Sequence, residues 1–160
     1  MRRRLGGVTP PDKTTSKGEF ALQHHTVLRV ASKLLMPFIL LFGLYVQFHG
    51  DFGPGGGFQA GVIFGAGLIL YGLIFGVESL DRVVHPEAIR FLPGAGVFLY
   101  ASVGVWSLLA GGNYLDYDVL ATNPIVGQHV GILLIELGVG TTVAAVMVAL
   151  FGAFAKRGQA

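Results

Sequence analysis

Four long apolar stretches separated by short polar ones dominate the chain. Apolar residues fill positions 28–48, 58–77, 91–111 and 126–154 with few interruptions. An α-helix needs ~20 residues to cross ~30 Å of hydrocarbon, so each stretch predicts one transmembrane helix. The expected fold class is all-α, an integral membrane protein of four transmembrane helices. The connections, 78–90 among them, are too short to fold by themselves, which excludes a soluble catalytic module, a nucleotide-binding fold or a receptor head. The expected organisation is an amino-terminal arm over 1–26, a membrane domain over 27–155 and a short tail over 156–160.

Two segments carry faces with physical content. In the second, Gly61, Gly65, Gly72 and Gly76 fall within a stripe ~60° wide at 3.6 residues per turn, and they form two GxxxG pairs. Lipid tails give helices no hydrophobic reason to associate, so a bare face predicts a helix lying close along it. In the fourth, Gly127, Gly131, Gly138 and Thr142 line one side, while His129 and Glu136 share the other, about 10 Å apart along the axis. A carboxylate near mid-membrane must face protein or water. Protein is therefore expected on both flanks of the fourth segment, which points to a subunit inside a larger assembly. Pro37 should kink the first segment, Pro93-Gly94 open the third, and Lys33 reach toward the interface. Trp106, Tyr45 and Tyr114 suit the aromatic belts, and Ser102 and Ser107 bond back to their own helix.

Charge sets the orientation. The chain of 160 residues is 52% hydrophobic and only 12% charged, against about 25% charged for a soluble domain, and its mean hydropathy is +0.66. All 11 basic residues lie before or at the start of the first segment, between the second and third, or after the fourth. The connections 49–57 and 112–125 contain none. The positive-inside rule then places both termini in the cytoplasm. The net charge of +2 follows from this bias and implies no nucleic acid. Arg2 to Arg4 resemble the start of a secretory signal, but residues 5–27 supply no apolar core for one. The arm is read as a flexible basic segment near anionic headgroups. With no cysteine, disulfides and thiolate sites are excluded.

Candidate chemistry gathers at two places. Between the first two segments runs a glycine-dense knot from His49 to Gly61, with Pro54 and Gly55, Gly56 and Gly57 at its centre. Gly55 to Ala60 formally match a dinucleotide pattern, but no strand precedes them and they open a membrane helix. The geometry expected instead is a tight re-entry that brings free amide donors of the second helix to the membrane edge. His49, Asp51 and Gln59, with Asp116 and Asp118 on the same side, make an acidic mouth that would attract cations. The second place is Glu136 with His129. Seven residues is two turns, too far for a shared ion, so no metal site is expected. Two readings of Glu136 stay open: a structurally bonded carboxyl, or a proton or sodium relay.

The placement of His49-Gly50 and then Pro54-Gly55-Gly56-Gly57-Phe58-Gln59-Ala60-Gly61 between the first two of four membrane helices resembles the B subunit of the multisubunit Mrp (Mnh) sodium/proton antiporters, the MnhB family. The resemblance covers roughly residues 28–155. It implies a hetero-oligomeric complex of several membrane subunits, in a bacterial or archaeal cell membrane, that exports sodium in exchange for protons. It assigns this subunit no redox centre, cofactor or catalytic site of its own. The family motif carries over to His49, Gly50, Pro54, Gly55, Gly56, Gly57, Phe58, Gln59 and Gly61. Two alternatives remain open: a similar small subunit of a membrane-bound hydrogenase-type complex, and a stand-alone channel or transporter.

Overall fold

The structure, a computed structural model, describes the backbone of residues 13–51 and 53–157 and, from residue 26 on, their side chains. It is all-α, with helices α1 Lys13–Phe48, α2 Gly57–Phe75, the short α3 Val77–Val83, α4 Pro86–Leu109 and α5 Pro124–Arg157. A 3₁₀ turn, Tyr117–Leu120, precedes α5. Four helical segments are long and apolar enough to span a membrane: Thr26–Phe48, Gly57–Phe75, Pro86–Leu109 and Pro124–Arg157. Of the arm expected over 1–26, residues 1–12 lie outside the described residues, and from Lys13 its backbone is helical and continuous with α1. The last three residues of the expected tail also lie outside them.

Local chemistry sets the helix ends. Gly76, at φ +92°, closes α2 at Phe75, two residues short of the expected end, by taking a conformation that side chains disfavour. At the start of α4 the His85 ring accepts from the Glu87 amide, and Pro86 occupies the first turn, where its missing N–H costs nothing. The third spanning helix therefore begins five residues before its apolar stretch, and Pro93 lies inside it rather than at its start. Asn123 Oδ1 accepts from the Ile125 amide at 3.0 Å and Pro124 follows it, which starts α5. Lys156 and Arg157 close α5, where cations complement the helix dipole.

The helices form a row rather than a square. α2 lies between α1 and α5, α5 lies between α2 and α4, and α1 touches α5 only lightly. The most completely buried side chains in this row are small: Ser107 and Ala60 are 0% exposed, whereas Phe98 and Leu109 are 75% and 79% exposed. That inversion of a soluble core suits a chain whose apolar solvent is lipid. Glycine makes the close approaches. A methyl group on Gly61 would lie 2.6 Å from the Gly140 carbonyl, and one on Gly138 2.8 Å from that of Gly96.

Both flanks of α5 are thus covered by the chain itself. α2 and the α1–α2 turn cover the side that carries His129 and Glu136. Residues of α4 and the 3₁₀ turn cover the other, where Gly127 meets the Tyr117 carbonyl, Gly131 the Tyr117 ring and Gly138 the Gly96 carbonyl. The expected protein on both flanks of α5 is present, and the helix row supplies it from two helices of the same chain.

Candidate functional site

The knot from His49 to Gly57 folds as a tight turn on the end of α1. The amides of His49 and Gly56 both donate to the Val46 carbonyl, at 3.3 and 3.1 Å, and the Gly53 amide donates to His49 at 3.2 Å. Gly55 lies so close that a methyl group there would be 2.8 Å from the Val46 carbonyl and 3.1 Å from the Gly50 nitrogen. Gly56, at φ +118°, takes a backbone conformation open to glycine but strained for other residues. Ala60 then bonds back to the Gly56 carbonyl at 3.0 Å, and α2 begins.

This turn lies directly on Glu136. A side chain at Gly50 would collide with both carboxylate oxygens of Glu136, and one at Gly56 would come within 2.9 Å of Oε1. At Gly57 it would strike the Glu136 main-chain carbonyl. Three glycines of the knot are bare because a carboxyl group and its helix occupy the space their side chains would need. Glu136 is half-buried, and among the described residues no side chain or amide hydrogen-bonds to its carboxylate. It stands twelve residues inside α5, about 18 Å from Pro124 at 1.5 Å per residue. The turn is therefore set well below the end of the α4–α5 hairpin.

His129 and Glu136 do not touch one another across their two turns of helix, but the turn reaches both. Asp51 Oδ2 lies 2.6 Å from His129 Nδ1, with the histidine side chain 52% exposed and the aspartate side chain 16% exposed. His49 stacks on Tyr45, ring centroids 5.0 Å apart. Phe58 and Gln59, also in the motif, are exposed on the outer side of α2, while Pro54 is exposed on the turn. Asp118 accepts from Gln128 at 2.8 Å. Burial, followed by the neighbouring Tyr100 and Tyr114, pushes the Tyr117 phenol above its ordinary value.

Among the packing glycines, Gly65 faces Met147 and Gly72 faces Phe151 and Leu80. Gly76 leaves the stripe: nothing lies within 4 Å of its side-chain position, because the helix has already ended there. One residue that sequence reasoning missed is Gln47. It is 5% exposed, its Oε1 lies 2.8 Å from the side-chain position of Gly140, and its Nε2 has no partner among the described residues. The available signal was a lone amide in an otherwise apolar stretch from Leu34 to Phe48. It lines an apolar cavity of about 350 Å³ between α1, α2, α4 and α5, where Thr141 adds a hydroxyl.

Comparison with known proteins decides the family. Residues 27–149 match the family described as a domain related to the MnhB subunit of Na+/H+ antiporter. This chain belongs to the MnhB family. The match takes in the second and third spanning helices, most of the first and fourth, the glycine turn and Glu136. Relatives of this MnhB-family chain include a protein of Staphylococcus aureus (strain Newman) named "Putative antiporter subunit mnhB2", 36% identical over 129 residues, which are 79% of this chain and 91% of the relative. Proteins of the same name from strains JH1 and USA300 match equally. With four spanning helices and such relatives, the chain is a multi-pass bacterial membrane protein.

Proposed function

We propose that this chain holds a mainly structural place in its complex and contributes Glu136 and His129 to the ion path. As a member of the MnhB family it is a small subunit of a multisubunit Na+/H+ antiporter, and other subunits of that complex are its partners. The complex exports sodium in exchange for protons, and the chemistry of this chain is binding and proton exchange rather than catalysis. The distribution of basic residues supports a topology with both termini in the cytoplasm, in which the glycine turn faces outward.

One observation carries the ion-path reading. Glu136 is a carboxyl group at membrane depth, held against bare glycine backbone without a hydrogen bond to any described group. An ionisable carboxyl at this depth marks a candidate ion site by default, because it must face protein or water rather than lipid. An unbonded one is free to exchange a proton or a cation. The acidic turn with Asp51, and Asp116 and Asp118 beyond it, has no basic residue nearby in sequence to repel a cation.

Antiport measured in everted membrane vesicles tests the assignment. Vesicles with the complete complex should show sodium-dependent proton movement, which is lost when this chain is omitted. The chain alone in liposomes should show none. Robust sodium or proton flux from the chain alone would overturn the subunit reading in favour of a stand-alone transporter.

A further inference from the structure

His129 and Glu136 are separated by about 10 Å along α5, too far for a proton to pass directly between them. The structure fills that gap from another part of the chain. Asp51 is anchored on His129 at 2.6 Å. Gly50, the residue before it, lies in contact with the Glu136 carboxylate. Consecutive Cα atoms are ~3.8 Å apart, so one step of backbone separates the two contacts. The imidazole is half exposed, the Asp51 side chain is 16% exposed, and the half-buried Glu136 has the turn against its carboxylate.

We propose that Asp51 is a third member of the ion path, carrying protons between the exposed His129 and the half-buried Glu136. This deepens the ion-path reading of Glu136 and rests on it. A proton taken up by the outer face of the imidazole leaves the ring at Nδ1 for the Asp51 carboxylate. Asp51 then gives it to the Glu136 carboxylate and returns to its ionised form. Each transfer moves one proton, and no other bond changes.

The surroundings suit this route. α1 contributes His49 and Tyr45 beside the turn, the 3₁₀ turn and its flank contribute Asp118 bonded to Gln128, and α5 itself contributes only His129 and Glu136. No lysine or arginine lies in the turn or on α5 before Lys156.

The test uses the complete complex in everted vesicles, with sodium-driven proton movement followed across pH and assembly followed on native gels. Asp51→Asn should lower exchange on the order of tenfold or more and flatten the pH profile, and Asp51→Glu should restore most of the rate. Asp51→Asn combined with His129→Gln should fall no further than Asp51→Asn alone, because the two act in series. An assembled Asp51→Asn complex with the parental rate and pH profile would overturn the route. If Asp51→Asn prevents assembly, His129→Gln breaks the same pair from the other side, and an unchanged pH profile there overturns it equally. Full exchange in Glu136→Gln would defeat the ion-path reading itself. Loss in Glu136→Gln beside a parental Asp51→Asn would defeat only the route.

Discussion

At the scale of single residues, the glycines of the turn differ in why they are glycine. Gly57 is bare because the Glu136 carbonyl fills its side-chain space, and Gly50 because the Glu136 carboxylate does. Gly76 has open space and only a backbone reason, φ +92°. Gly57→Ala should therefore abolish or severely reduce assembly of the complex. Gly76→Ala should cost ~1–3 kcal/mol of backbone strain and leave assembly intact. Yields of complex on native gels check both, and equal effects would contradict the distinction. Gln47 gives a second prediction. Its Nε2 is buried without a partner, and removing an unsatisfied polar group for an apolar one of similar shape is neutral or stabilising. Gln47→Met should leave the thermal stability of the solubilised complex equal or higher, and a clear loss would contradict this.

At the scale of elements, α5 is the organising helix, since α2 and α4 meet it on opposite sides along glycine seams. Gly61 opposes main chain, the Gly140 carbonyl and Cα, whereas Gly65 opposes the Met147 side chain at 3.1 Å. A methionine can move and a helix backbone cannot. Gly61→Ala should cost ~1–3 kcal/mol and Gly65→Ala clearly less, as read from thermal melts of the two variants. Gly61→Leu, Gly65→Leu and Gly72→Leu should all disrupt assembly, because each brings a large group into an occupied seam.

Much of this was legible in the sequence. Glycine spacing in the second and fourth apolar stretches marks which faces need neighbours, since period and small size survive folding unchanged. The identity of the neighbour was not legible. Nothing in the order of residues says that Gly61 meets Gly140 rather than another chain, because long-range pairing depends on how four helices share space. For the same reason Glu136 stood out while its cover did not. Asp51 was one of several polar loop residues until the turn folded it onto His129, and Gln47 was hidden by the apolar run around it.

At the scale of the whole molecule, the chain carries large exposed apolar side chains, and the groups of the proposed ion path gather at one end, under a turn set below the α4–α5 tip. The proposed orientation can be read directly because the chain has no cysteine. Single cysteines at Asn113 and Glu87 lie at opposite ends of α4. A membrane-impermeant thiol reagent should label Asn113→Cys from outside intact cells and label Glu87→Cys only in everted vesicles. The reverse pattern would invert the proposed topology and the direction in which protons enter the turn. The most direct measurement, however, concerns the carboxyl group beneath the turn. Sodium-driven proton exchange should be compared between the parental complex and Glu136→Gln at equal amounts of assembled complex. Exchange should fall by an order of magnitude or more with assembly preserved; exchange at the parental rate would show that Glu136 takes no part in moving ions.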